Sequence, residues 1–412
     1  MPDPIRFTIL DQSASTQARV GRVETPHGSF QTPAFMPVGS RGSVRGLTPD
    51  QIRATGSEII LANAYHLMLR PGDGLVARRG GLHSFMAWDG PMLTDSGGYQ
   101  AYSMADLNAI DDEGVTFKSF IDGAEVHLGP ERSIEVQNNL AADIIMAFDD
   151  CPPSVDPKTL NESRRRLSAR RGGPFAAGYD HAARLVEAHE RTVRWLDRCV
   201  AAHRRPDDQA LFGIVQGGTD LDLRRASVEA ICATDRPGYA IGGVAVGEGP
   251  EEIRRVVEFT APLLPADKPR YLMGVGYERD LLAAIRAGVD MFDCVLPTRN
   301  GRNAQAFTAR GRLHLRNAKY AEDDAELDPG CDCPACAGGF SRAYLRHLFM
   351  AGEMLGPTLL SLHNIRHFQR LLLDIRRAIR DDGWSLLLGS WPVLRGEAID
   401  RPAADTLDDD TP

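Results

Sequence analysis

Two apolar segments of this chain end on carboxylates. PMLTD closes on Asp95 and runs on into SGGYQ; VDMFDCVL carries Asp290 and Asp293. Burying an unpaired carboxylate is costly, so an acid in such a segment needs a partner or a task. Asp290 and Asp293 are separated by an odd number of residues and face opposite sides of a strand. Asp290, at the start, is expected to pair or cap. Asp293, near the end, is placed where a pocket could use it. Two carboxylates such as Asp95 and Asp293 suit chemistry at an anomeric carbon, one as nucleophile and the other as acid/base.

The residues around them suit a planar, nitrogen-rich ligand. Ser96, Gly97 and Gly98 form a tight turn with exposed N–H groups, and Tyr99 follows with a flat ring that can stack. MAFDDC supplies Asp149, GIVQGG supplies Gln216, whose amide both donates and accepts, and GGVAVGEG supplies Gly243, where a ligand can approach the backbone. A carboxylate for ring N–H groups, an amide and a glycine N–H for a carbonyl, and a covering tyrosine match the edge of a guanine-like base. Each feature has a plainer reading by itself: Asp-Ser-Gly-Gly is also an ordinary turn, and strand ends are where polar loops begin.

CDCPAC places Cys331, Cys333 and Cys336 in a C-x-C-x2-C array that can converge on one tetrahedral zinc. The plainer alternative is three reduced cysteines in a surface loop. The fourth ligand is left open among His347, His363 and His367. A closed Cys3His set suits a structural ion, whereas a catalytic zinc keeps a position for water. A metal-dependent barrel hydrolase is a competing class, but no H-x-H pair stands on any strand.

Beyond Pro297 the strand is expected to give way to a loop. From there to Tyr320 the chain carries Arg299, Arg302, Arg310, Arg312, Arg316 and Lys319 and no acid. Such a run is commonly a solvated surface. Directly after Asp293 it also suits the phosphates of a polynucleotide.

These residues need elements to hold them. Apolar runs at 33–39, 57–65, 91–95, 142–150, 210–218, 239–247, 270–276 and 289–296 read as buried parallel strands, and segments between them have helical spacing. Eight such units predict an α/β fold, a (β/α)8 barrel. Asn63, Asp95, Asp149, Gln216, Gly243, Gly274 and Asp293 fall at or just past strand ends, which converge on one face of a barrel. The 412 residues carry a net charge of −9, with 43% hydrophobic and 25% charged residues, an ordinary globular composition that argues against a generally nucleic-acid-coating protein. No signal sequence or bilayer-spanning run is seen, and seven cysteines do not suggest a disulfide framework; the default expectation is a cytoplasmic protein. The expected division is a barrel body over 1–320, a metal-binding subdomain over 321–372, a helical segment over 373–396 closing the barrel, and a disordered acidic tail over 397–412. Residues 161–180 are expected to be an inserted Arg-rich loop.

DSGGYQ, FDDC, GIVQGG, GGVAVGEG, YLMGVG, DMFDCVLPTRNGRNA and CDCPAC…HN, in this order, resemble the bacterial tRNA-guanine transglycosylases from about Gly21 to about Leu372. The resemblance implies a (β/α)8 barrel with a zinc-binding subdomain, acting as a homodimer. It implies exchange of guanine at the wobble position of certain tRNAs, in the anticodon stem-loop, for a 7-deazaguanine base on the way to queuosine. Asp293 would be the nucleophile and Asp95 the general base. Asp95, Ser96, Gly97, Gly98, Tyr99, Asp149, Gln216, Gly243, Val244 and Met273 would bind the base, with Glu248 near enough to assist. Gly274, Val275, Gly276, Tyr277, Glu278, Arg279 and Asp280, with Thr298, Arg299, Asn300, Gly301 and Arg302, would contact the RNA. Zinc would take Cys331, Cys333, Cys336 and, by the SLHN motif, His363; no nucleotide cofactor is implied. A non-catalytic RNA-binding paralogue is the alternative, and it should lack one of the two carboxylates. The chain departs from the family at Asp150, where Glu is common, in an added residue between Cys336 and His363, and in the length of 161–180. Cys151 and Ala245-Val246 resemble bacterial enzymes and imply the aminomethyl deazaguanine precursor (preQ1) as substrate.

Overall fold

The computed structural model describes residues 3–103, 108–156 and 179–395. An antiparallel sheet of β1 (Arg6–Gln12), β2 (Arg19–Thr25) and β3 (Gly28–Thr32) comes first. Then follow β4 (Ala34–Gly39), β5 (Ile60–Ala62) and β6 (Met92–Thr94), an inserted antiparallel sheet of β7 (Asn108–Ile110), β8 (Val115–Lys118) and β9 (Glu125–Leu128), and the strands β10 (Ile144–Met146), β11 (Ala210–Val215), β12 (Tyr239–Ile241), β13 (Arg270–Leu272) and β14 (Met291–Cys294). β4, β5, β6 and β10 to β14 close into one parallel barrel, with β14 pairing back onto β4 so that Asp293 lies opposite Met36. All eight apolar runs are barrel strands, and the expected (β/α)8 architecture holds.

The strands are shorter than the runs that announce them. The run at 57–65 yields only Ile60–Ala62, because Asn63 caps the next helix by accepting the His66 N–H at 3.0 Å. Alternation along the strands makes two apolar layers. Met36, Leu93, Met146, Phe212, Tyr271 and Met291 pack together, while Phe35, Ile145, Leu211, Leu272 and Phe292 belong to the layer that meets the helices. Burial on both faces explains why each run is nearly continuous in apolar residues.

This alternation separates the two aspartates of β14. Asp293 shares the parity of Met291, and Asp290 falls on the other side. Asp290 is fully buried and binds Arg19 through two bonds, from Nε at 2.9 Å and Nη2 at 2.6 Å, while also accepting the Arg270 N–H at 2.8 Å. Removing one partner from such a pair leaves a buried charge and costs about 3–5 kcal/mol. Its task is to tie the first sheet to the barrel.

The loop expected beyond Pro297 is a helix, Leu296–Arg302. Proline stops a strand, but in the first turn of a helix its missing N–H costs nothing. A hairpin of β15 (Gln305–Thr308) and β16 (Gly311–His314) follows, then the cysteine region and the long helix Leu355–Asp381. That helix packs against the barrel and the cysteine region alike, and it runs without a break across residues 372 and 373, where the sequence division was drawn. Most of the Arg-rich segment 161–180 and the tail 397–412 lie outside the described residues. Among the described residues no helix is long and apolar enough to cross a membrane.

Candidate active site and metal centre

A cavity of about 590 Å³ opens where the barrel strands end. Its walls include Asp95, Ser96, Tyr99, Asp149, Gly243, Val244 and Met273 from the expected base-binding set, and Gly274, Thr298, Arg299 and Arg302 from the expected RNA-binding set, around Asp293.

Asp293 is held by one of its two oxygens. The Tyr271 hydroxyl donates to Oδ1 at 2.6 Å and the Gly274 N–H donates to the same atom at 2.8 Å. Oδ2 receives no donor from another residue among the described ones. Burial raises the Asp293 carboxyl above the usual range, and the Tyr271 and Gly274 donors oppose that rise. The Tyr271 phenol is pushed well above its ordinary value by burial and by the neighbouring carboxylate.

Asp95 accepts from Asn63 Nδ2 at 2.5 Å and from the Ala64 N–H at 2.8 Å, both at the end of β5. Burial pushes it up to about 7, with Asp293 and Asp149 adding repulsion. Asp149 accepts from Gln216 Nε2 at 2.6 Å and faces the Ser96 hydroxyl at 3.4 Å; burial pushes it up to about 7 as well. Two glycines are dictated by this packing. A Cβ on Gly98 would meet the Asp149 carbonyl oxygen at 2.9 Å, and one on Gly243, where φ is +62°, would meet Gln216 Oε1 at 2.3 Å. Glu248 accepts the Ala245 and Val246 N–H groups at 2.6 and 3.1 Å and closes that loop.

Asp150 does not face the cavity. It is buried and binds Arg184 and Arg191, each at 2.6 Å, on the helix His181–Ala202. The shorter acid thus joins Asp149's backbone to that helix through two guanidinium groups.

Several expected contacts are elsewhere. Val275, Gly276 and Glu278 are buried, as are Asn300 and Gly301, and Asp280 borders a separate small crevice with Ile253 and Val257. A Cβ on Gly301 would meet the Ser361 backbone nitrogen at 2.8 Å, so this face of the helix Leu296–Arg302 packs on the long helix. The basic stretch divides. Arg299 and Arg302 line the cavity, whereas Arg312 lies over the Tyr277 ring at 5.3 Å and Arg316 over Phe349 at 5.8 Å.

Four contributors escaped the sequence reading. Tyr271 reads as core in an apolar strand. Arg224 is buried and donates to the carbonyls of Gly218, Gly242 and Gly243 at 2.9, 2.7 and 2.9 Å, knotting the ends of β11 and β12; burial lowers it to about 10. Arg41 and Arg45 line the same cavity as the arginines that follow Asp293 on the neighbouring strand β14. They stand in GSRGSVRG, directly after β4, and a basic Gly/Ser segment at a strand end was a signal that could have found them.

The three cysteines and His363 are buried together. His363 Nδ1 lies 3.7, 3.3 and 3.5 Å from the sulfurs of Cys331, Cys333 and Cys336. Metal–sulfur bonds of about 2.3 Å and a metal–nitrogen bond of about 2.0 Å at tetrahedral angles call for separations near about 3.5 Å. His363 Nε2–H donates to the Phe307 carbonyl at 2.8 Å, which presents Nδ1 to the sulfurs. The group fits a structural metal. His347 is exposed on another helix, and His367 is engaged by Glu278. A second group, His27, His83 and Asp143, is a poor metal site. Its imidazoles stack at 3.6 Å with 12° between planes, so one ion cannot lie in both ring planes at bonding distance. Asp143 is already occupied by His27 Nδ1 at 2.7 Å and the Met92 N–H at 2.8 Å.

A family model described as queuine tRNA-ribosyltransferase matches residues 13–172 and 175–391. Proteins named queuine tRNA-ribosyltransferase from Streptococcus suis (strain 98HAH33) and Streptococcus agalactiae serotype Ia are each 50% identical to this chain over 379 residues, 92% of this chain and 93% of theirs. A protein of the same name from Streptococcus pyogenes serotype M5 has the same identity and coverage. With a cavity of three carboxylates at the strand ends and a buried Cys3His group, the chain belongs to the queuine tRNA-ribosyltransferase family.

Proposed function

We propose that this protein is a tRNA-guanine transglycosylase that replaces guanine at the wobble position of specific tRNAs with a 7-deazaguanine base. The observation that carries the reading is the state of Asp293: one oxygen anchored by two donors, the other without a donor from another described residue, in the same cavity as Asp149 and Gly243, with Gln216 bound behind Asp149. In the first step Asp293 Oδ2 bonds to ribose C1′ as the C1′–N9 bond breaks, and guanine leaves with that electron pair. Asp95 supplies the proton that N9 takes up. In the second step Asp95 takes the N9 proton of the incoming base, N9 bonds to C1′, and the ester to Asp293 breaks. Two inversions give retention, and one glycosidic bond replaces another without external energy. An Asp95 pushed to about 7 suits both proton transfers near neutral pH.

The target nucleotide leaves its stack at a cost of about a few kcal/mol, lower in a single-stranded loop. Tyr99 would cover the base, Val244 would offer its carbonyl, and the arginines lining the cavity would hold the backbone of an anticodon stem-loop. Cys151, Ala245 and Val246 line the cavity and support the aminomethyl precursor preQ1 as incoming base. The Cys3His group would hold zinc as a structural ion. The family resemblance further implies a homodimer in the cytoplasm.

Incubation with unmodified tRNA and labelled guanine tests the reading. Wild type should incorporate label, and Asp293→Ala should lower the rate by at least about 10³-fold. Tight tRNA binding by wild type without incorporation would overturn it. Competition by several deazaguanines reports the preferred base.

A further inference from the structure

Glu278 stands in the segment that the family resemblance assigns to RNA, yet it is only 4% exposed. Its Oε1 accepts from His367 Nε2 at 3.0 Å. His367 is fully buried in an aromatic cage, with ring centroids 5.1 Å from Trp391, 5.3 Å from Phe368 and 5.9 Å from Phe307. It sits one turn beyond His363 on the long helix Leu355–Asp381.

Glu278 is also the first residue of the helix Glu278–Arg286, directly after the segment 274–277. That segment begins with Gly274, whose N–H donates to Asp293 Oδ1. It then passes Gly276, where a Cβ would meet the Cys294 Cβ at 2.3 Å, so the backbone lies flat against the residue that follows Asp293. An acid at a helix start would ordinarily serve the free N–H groups there. Glu278 instead spends its carboxylate on a histidine of another element. The segment is therefore pinned twice, by Gly276 on β14 and by Glu278 on the long helix.

We infer that the Glu278–His367 pair is a positioning device: it fixes segment 274–277 on the helix bearing His363, so that the Gly274 amide holds the Asp293 carboxylate in the attacking orientation. The inference rests on Asp293 being the nucleophile. Neither Glu278 nor His367 touches the reacting atoms.

The test uses full-length, metal-loaded protein and an unmodified anticodon stem-loop RNA, with the covalent adduct timed on denaturing gels. Glu278→Ala should slow adduct formation by about 10- to 100-fold, because a displacement of the order of 1 Å at a reacting group costs that much. RNA affinity and metal content should stay within about 3-fold of wild type, since the pair contacts neither RNA nor ion directly. Glu278→Gln, which still accepts from His367, should restore the rate to within about 3-fold. If Glu278→Ala does not fold, the double variant Glu278→Leu, His367→Phe keeps the site apolar and packed without the link; it should bind RNA and form adduct slowly. Wild-type adduct rate in folded Glu278→Ala, or in the double variant, overturns the inference. So does slowing that matches a loss of RNA affinity, which would mark Glu278 as an RNA contact. Asp293→Asn on the same gels separates the two claims. Adduct persisting there removes the nucleophile, whereas normal adduct in Glu278→Ala with none in Asp293→Asn removes only the positioning role.

Discussion

The hydroxyl of Tyr271 lies 2.6 Å from Asp293 Oδ1 across two adjacent barrel strands. β13 and β14 are in register with Tyr271 opposite Met291, so the phenol reaches two residues farther along the barrel to meet the acid. Together with the Gly274 N–H it occupies one carboxylate oxygen and leaves the other to the cavity. A buried tyrosine here selects which oxygen of the nucleophile is available, and it favours the ionised form that attack requires.

Tyr271→Phe keeps the ring and removes that donor. Adduct formation is expected to fall by about 10- to 100-fold, the scale of one lost hydrogen bond to a charged group. Because the donor lowers the Asp293 pKa, its loss should also move the acidic limb of the pH–rate profile to higher pH. A profile that overlays wild type would remove the phenol from the mechanism.

Stability should carry the mark of the carboxylate cluster. Asp149 is raised from 3.8 to about 7 in the folded chain, so between these values the folded state binds more protons than the unfolded one. Stability then falls as pH rises through that window. Asp149→Asn should melt above wild type at pH 8, with the gap closing toward pH 4, while base binding is lost. Thermal scans across pH decide this; a gap that does not narrow on acidification contradicts it.

The metal ligands can be told apart by stoichiometry. One ion per chain is expected in wild type, lost in His363→Ala and in Cys333→Ser, and kept in His347→Ala. Chelation should lower the melting temperature, because ion binding to the folded site is folding free energy. Retention of a full ion by His363→Ala would place the fourth ligand elsewhere.

The two arginine pairs that line the cavity should contribute separately to RNA binding. Arg41→Ala and Arg45→Ala after β4, and Arg299→Ala and Arg302→Ala after β14, should each weaken binding at low salt and reduce the slope of log K against log salt by up to about 1. Unchanged slopes for one pair would confine the phosphate contacts to the other.

Much of this was legible in the sequence. A strand buried on both faces must be apolar along its whole length, so all eight barrel strands stood out as runs, and the acids that end them stood out by contrast. Three cysteines within six residues announce their shared ion by proximity along the chain. The tertiary structure decided what depends on neighbours distant in sequence. It made Pro297 part of a helix's first turn instead of a stop, brought His363 from the long helix to the three cysteines, and turned Glu278 inward to His367. It also gave Asp290 to Arg19 and Asp293 to Tyr271. Periodicity records whether a side chain faces apolar surroundings, because that is repeated along an element. The partner of a single polar group is set once, by how two elements are brought together in space, and it leaves no pattern along the chain to read.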